Sequence, residues 1–179
     1  MESIVKKAVK RAKAGKAKVP KGKKTIGNDE ELVKLLETAQ AKIRVVGVGG
    51  GGGNTITRMT EVGITGAETL AVNTDAQDLL KAVANKKMLI GKELTRGLGS
   101  GSDPSVGEGA ARESIEDLTE TLSDADLVFI TCGMGGGTGT GAAPTISEIA
   151  KEVNALTIGV VTLPFTVEGR KRMENALHG

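Results

Sequence analysis

Two stretches of this chain are almost bare backbone. GVGGGGGN (47–54) and GMGGGTGTG (133–141) each follow an apolar run and lead into a segment with helical spacing. Glycine lets main-chain N–H groups approach a ligand with no Cβ in the way, and it accepts positive φ. A helix N-terminus adds unpaired N–H donors and about half a positive charge. Two such turns together make a cradle for a polyanion, and a phosphate chain is the natural occupant. Thr138 and Thr140 add hydroxyls to the second stretch, and a third glycine-rich stretch, LTRGLGSGSDP (94–104), lies between the two.

The first stretch alone is a weak signal. Gly47, Gly49 and Gly52 satisfy G-x-G-x-x-G, the dinucleotide-binding pattern. That fold places an acid at the end of its second strand, whereas here the strand ends VNTD, with Asp75 behind Thr74. An oxidoreductase reading also leaves the second glycine stretch without a role. No G-x-x-x-x-G-K-[ST] loop occurs anywhere in the chain. The remaining reactive residue types are sparse. Cys132 ends an apolar strand and reads as a small buried side chain, and the sole histidine, His178, reads as an exposed helix-end residue, so a catalytic thiol or a zinc site lacks its partners. Asp75 suits a helix N-cap and equally the water shell of a metal ion.

The elements that must carry these loops alternate along the chain. Strands are expected at 42–48, 69–73, 88–90, 126–131 and 156–164. Helices are expected at 54–62, 75–85, 105–123 and 139–155, with a last one opening in VEGRKRMENALHG (167–179). In the long helix Ala111, Ile115, Leu118 and Leu122, spaced 4, 3 and 4 apart, form the expected inner stripe. Apolar strands without clean alternation imply burial on both faces, hence an α/β fold with a doubly wound, mostly parallel sheet of Rossmann-like topology. Ligands in such sheets sit at the carboxyl ends of the strands, where all three glycine stretches fall.

Ahead of this region, residues 1–27 read as a basic mobile tail, and NDEELVKLLETAQ (28–40) as an amphipathic helix with Leu32, Leu35 and Leu36 on one face. Residues 1–24 carry a net +9, so the remainder carries −7. The tail reads as a solubilising extension or as loose attraction to an acidic surface. With two Phe and neither Tyr nor Trp, the core must be aliphatic and there is no platform for base stacking, which argues against specific nucleic-acid binding. One cysteine precludes an internal disulfide and fits a reducing, cytoplasmic compartment. No run reaches the roughly 18 apolar residues of a membrane span.

GGGTGTG (135–141) resembles the tubulin-type phosphate loop, G-G-G-T-G-[ST]-G. GVGGGGGN, VNTDAQ, LTRGLGSGSDP, this loop and TLPFTVEGRKRM stand in the order found in the tubulin/FtsZ family. The resemblance covers about residues 41–179, which would form a GTP-binding domain. It implies a GTPase that binds GTP or GDP with Mg²⁺ and polymerises head-to-tail with itself. It also implies a place in the cytoplasmic cell-division ring, through membrane-tethering partners. Gly50, Gly51, Gly52, Gly53 and Asn54 would line the first nucleotide loop. Gly135, Gly136, Gly137, Thr138, Gly139 and Thr140 would form the signature loop. Asn73, Thr74 and Asp75 would lie near the phosphates and a hydrated Mg²⁺, with Asp75 reaching the ion through water. Gly99, Ser100 and Gly101 would sense the γ-phosphate, Glu168 would accept a ribose hydroxyl, and Arg172 would lie beside the nucleotide.

Two departures stand out. The γ-phosphate loop of the family commonly reads GLGAGANP or GLGAGGNP, where this chain has GLGSGSDP. The chain also ends where the family continues into a guanine-reading central helix and a second domain supplying the water-activating acids. The expectation is therefore a fragment without turnover of its own and with no catalytic residue in this chain. A non-catalytic nucleotide-binding or filament-capping module is the alternative.

Overall fold

The computed structural model describes residues 40–179, so the expected basic tail and first amphipathic helix lie outside the described residues. In chain order the elements are β1 (Ile43–Val48), α1 (Gly49–Val62), β2 (Ala67–Asn73), α2 (Ala76–Lys81), β3 (Lys86–Leu89), α3 (Lys92–Thr95), α4 (Pro104–Glu113) and α5 (Ile115–Leu122). There follow β4 (Leu127–Gly133), α6 (Thr138–Glu152), β5 (Leu156–Thr162), a 3-10 turn (Thr166–Glu168) and α7 (Arg170–His178).

The strands form one five-stranded sheet in the order β3-β2-β1-β4-β5, and every pairing is parallel. The parallel doubly wound α/β architecture is the one expected from the alternating pattern. The order reverses between β1 and β4. The connection through α1 leads from β1 to β2, and the connection through α6 leads from β4 the other way, to β5. The carboxyl ends of β1 and β4 therefore bound the crevice at the switch point, the ligand site of open α/β sheets.

Val46, Val48, Leu70, Val72, Val128 and Ile130 pack with Ala111, Leu118, Leu122, Ile146 and Ile149 of the helices in the main apolar cluster. A smaller cluster on Ala71, Leu79 and Ala82 seats α2. Small residues let α4 and α6 approach closely. A Cβ on Gly107 would lie 2.5 Å from the Gly137 carbonyl oxygen, and one on Gly141 would collide with the Pro104 carbonyl.

Three expectations are corrected. The helix foreseen over 105–123 is two helices, because Ser114 leaves helical geometry (φ −103°, ψ 22°) and its buried hydroxyl accepts the Gly91 N–H at 3.2 Å. Ile115 of the expected stripe is 40% exposed. Secondly, β5 is not buried on both faces: Leu156, Val160 and Val161 are exposed, because among the described residues α6 is the one helix that packs substantially on it. Thirdly, the glycines of 49–53 are not a loop ahead of the helix but its first turns.

At the opposite rim, charge ties the strand starts together. Buried Arg44 on β1 meets Glu68 of β2 at 3.1 Å and Asp124, in the turn before β4, at 2.6 Å. Lys86 joins Glu68, and Lys42 joins Asp124. Burial opposes ionisation of Asp124, but its hydrogen bond to Lys42 and the charges of Arg44 and Lys42 outweigh it, so its pKa falls below the ordinary value. Asp103, the N-cap of α4, is also lowered, chiefly by the Ser105 hydroxyl and N–H that donate to it.

Two outcomes are expected. Gly141→Ala gains helix propensity but drives a methyl into the Pro104 backbone, so it should destabilise the fold by about 1–3 kcal/mol in urea unfolding. Gly109→Ala meets only the end of the flexible Leu94 side chain at 3.1 Å and should be neutral or stabilising. For pH, both aspartates ionise more readily folded than unfolded. They add stability above the ordinary aspartate pKa of about 3.9 and lose it as pH falls through their lower folded values. An Asp103→Asn, Asp124→Asn double variant should therefore show a shallower fall in urea midpoint below about pH 4 than the parent; parallel falls would contradict this.

Candidate functional site

At the switch point the tips of α1 and α6 nearly touch. A Cβ built on Gly49, which has φ +70°, would lie 3.0 Å from the Gly139 amide nitrogen, and one on Gly51 would lie 3.1 Å from the Gly133 nitrogen. Only glycine permits this approach. Neither helix has a side-chain cap, and neither has an acid in its first turn. Two neighbouring helices are capped, α2 by Asp75 and α4 by Asp103. The uncapped pair leaves first-turn N–H groups for a ligand, backed by two helix dipoles.

These tips open into a cleft of about 480 Å³. Gly50 and Gly51 line it from α1, and Gly136, Gly137, Thr138 and Gly139 from the signature loop and α6. Asn73 and Asp75 contribute from the end of β2; Gly99, Ser100 and Gly101 come from the loop after α3; Glu168 and Arg172 form the far wall. Gly53 and Asn54 instead border an adjoining hollow of about 190 Å³ between α1 and α2, which Gly50 and Asn73 share.

The other expected residues lie behind the cleft. Gly52 presses on the backbone, where a Cβ would meet the Thr131 carbonyl oxygen at 2.5 Å. The Gly135 N–H donates to the Thr140 hydroxyl at 2.8 Å, which holds the signature loop in shape. Thr74 is fully buried, and its hydroxyl pairs with that of Thr138 at 2.7 Å.

The loop after α3 is held in uncommon backbone geometry. Arg96 and Ser102 have φ 52° and 64°, and Gly97, Gly99 and Gly101 are also left-handed. Its shape is fixed by the Ala76 N–H donating to the Gly97 carbonyl and by the Gly99 N–H donating to the Thr74 carbonyl. The Asp103 carboxylate is engaged at the α4 N-terminus, so the extra acid of GLGSGSDP serves as a cap.

Glu168, at the end of the 3-10 turn, and Arg172, in the first turn of α7, pair with each other at 2.7 Å. The second carboxylate oxygen of Glu168 accepts the Phe165 N–H at 2.8 Å. That backbone bond first, and Arg172 second, hold the carboxyl below its ordinary range. Cys132 is buried and its pKa rises to about 11, so it is an inert core thiol.

Asp78, Met134 and the Thr162–Pro164 segment also line the cleft, and the sequence reading missed them. Asp78 carried a usable signal, since it stands three residues after the cap Asp75 and so on the same side of a helix start. Thr162–Pro164 open the TLPFTVEGRKRM stretch quoted above, but no role is assigned to them there. They arrive because β5 pairs with β4 and the Met134 N–H donates to the Thr162 carbonyl at 2.9 Å. Among the described residues no cluster of three or more His, Cys, Asp or Glu is arranged to hold a metal, and no helix is long and apolar enough to cross a membrane.

Comparison with known proteins agrees with this geometry. The family model described as the Tubulin/FtsZ family, GTPase domain, matches residues 42–179. Cell division protein FtsZ 1 of Thermococcus kodakarensis is 59% identical over 180 residues, covering 100% of this chain and 48% of the relative. Its namesake in Pyrococcus abyssi is 65% identical over 151 residues, 84% of this chain and 41% of the relative. Among solved structures, an empty FtsZ dimer from M. jannaschii superposes with TM-score 0.79 at 58% identity, over 84% of this chain and 44% of that one. A GTPγS-bound protofilament of CetZ2 from Haloferax volcanii gives 0.68 at 27% identity, over 75% of this chain and 43% of that one. The chain thus spans about half the length of the curated relatives it matches. With the glycine loops, the switch-point cleft and the matching domain model in agreement, this chain belongs to the tubulin/FtsZ family.

Proposed function

We propose that the cleft binds GTP and GDP, and that the chain is the nucleotide-binding part of a cell-division GTPase that polymerises head-to-tail in the cytoplasm at the mid-cell division site. The observation that carries this reading is the pair of uncapped helix tips meeting at the switch point of a tubulin/FtsZ domain. The names of the relatives and the GTPγS-bound protofilament of CetZ2 support it. In this reading the N–H groups at Gly50–Gly51 and Gly137–Gly139 hold the phosphates. Glu168, already ionised and oriented, accepts a ribose hydroxyl while Arg172 swings between it and phosphate.

Asp75 and Asp78 offer hard oxygen donors beside the phosphate cradle, which fits a Mg²⁺ that keeps most of its water. When bound, that ion would neutralise charge on the phosphate oxygens. The acids that activate water come from a neighbouring subunit, so hydrolysis follows assembly through a heterologous contact that does not close, which yields a filament. Membrane-tethering partners belong to the same reading.

An acid introduced at the cradle tests it. Gly50 lies in the first turn of α1 with room for a side chain, since a Cβ there meets only Asp78, at 3.7 Å. Gly50→Asp should leave stability within about 1 kcal/mol, because a first-turn acid is tolerated by the helix dipole. Its charge should repel phosphate and lower affinity for GTP at least ~10-fold in calorimetric titration, a loss of about 1.4 kcal/mol or more. Parent protein that binds NAD but not GTP, or a variant that binds GTP undiminished, would overturn the reading.

A further inference from the structure

At the rim of the sheet where the strands start, opposite the cleft, donors outnumber acceptors. Arg44 is buried there, its side chain 9% exposed. Its Nε meets Glu68 at 3.1 Å, and its Nη2 meets Asp124 at 2.6 Å. The third nitrogen, Nη1, is closed to solvent and has no hydrogen-bond partner. Among the described residues it is the one buried side-chain nitrogen or oxygen left in that state. A guanidinium keeps its protons in a protein, so the unmet donor cannot be removed by titration.

The neighbouring acids are already engaged. The second oxygen of Glu68 meets Lys86 at 3.2 Å, and the second oxygen of Asp124 meets Lys42 at 3.3 Å. All four carboxylate oxygens therefore face a cation. Three cations (Lys42, Arg44 and Lys86) against two carboxylates leave this network at +1.

A hollow of about 410 Å³ lies against the network, lined among others by Lys42, Arg44, Glu68, Asn85 and Asp124. Asn85 brings a further donor to it. Its amide oxygen accepts the Thr69 N–H at 2.8 Å and the Thr69 hydroxyl at 2.7 Å. Those bonds settle which end of the amide is oxygen, and the NH₂ end is turned away from Thr69. One compact negative charge complements this set. A dianion would exceed the +1 of the network and press on Glu68 and Asp124, whereas a neutral acceptor would leave the buried charge unmatched.

We propose that this hollow is a binding site for a compact monoanion such as chloride, held by Arg44, Lys42 and the Asn85 amide. Lys42 is the movable wall. Its side chain is 63% exposed, and its pair with Asp124 is the longest of the network. By turning from Asp124 to the ion it opens the way to Nη1. Glu68 and Asp124 hold the guanidinium in place and are positioning residues. The site lies outside the nucleotide cleft and does not rest on the guanosine reading. An ion bound there touches groups that come together only in the folded chain, so it stabilises the native state by mass action.

The test titrates the chain with sodium chloride against sodium gluconate at constant ionic strength, which keeps screening the same throughout. Proton–nitrogen NMR spectra follow the Asn85 side-chain NH₂ and the Arg44 Nε–H, and urea unfolding is measured in both salts. Chloride should move both signals along one saturating curve. At about ten times its dissociation constant it should raise the urea midpoint by about 0.5–1 M. Asn85→Asp keeps an oxygen for Thr69 but puts a negative charge where the NH₂ donor stood. It should lose chloride affinity at least ~10-fold, read at Arg44, and with it the rise in midpoint. Its midpoint in gluconate reports whether it folds. If it does not, Lys42→Gln at an exposed position decides, with a loss of about 3-fold or more expected. Signals that drift without saturating, or a folded variant that binds chloride as the parent does, overturn the proposal. So does a midpoint rise of equal size in parent and variant.

Discussion

An α-helix leaves its first N–H groups without acceptors inside the helix, and something outside must supply them. In this protein two helices, α1 and α6, leave that need unmet at one place. The rest of the structure is arranged to bring their tips together. The parallel sheet places β1 beside β4, and the reversal of strand order sends the two helices to opposite faces. Glycine removes the atoms that would keep the tips apart, as at Gly49 against Gly139. The absence of acid from both first turns leaves the positive ends of two dipoles uncompensated until a ligand arrives.

The surrounding contacts serve the same constraint. Close packing of α4 on α6 through Gly107 and Gly141 locks the loop containing Ser100 to the signature loop. The Asp103 cap anchors the start of α4 next to the cleft without spending its charge on the ligand. At the far rim, the Arg44 network joins the starts of β1 and β2 to the turn before β4, so that the carboxyl ends stay in register.

Much of this was legible in the sequence, because glycine has a backbone consequence that other residues lack. The two glycine stretches, their position after strands, and the threonines of the signature loop point to phosphate. What the sequence could not show were facts of assembly. The break at Ser114 depends on a hydrogen bond from Gly91, a residue 23 positions away, and the apolar spacing runs through it without interruption. The exposure of β5 follows from how little packs on its faces among the described residues, although its composition is that of a buried strand. Thr138 and Thr140 look alike in the motif, yet one borders the cleft and the other holds the loop from behind, because successive helical positions face different ways. Asp78 was overlooked because an acid in a helix start has an ordinary capping explanation.

The central claim is that main-chain amides of two helix tips hold the phosphates. Titrating ¹⁵N-labelled protein with inorganic triphosphate, which has no base or sugar, tests it most directly. The account predicts that the largest amide shifts fall on Gly50, Gly51, Gly137, Thr138 and Gly139, and that they saturate together. Shifts confined to lysine-rich segments, with these five amides unmoved, would contradict it.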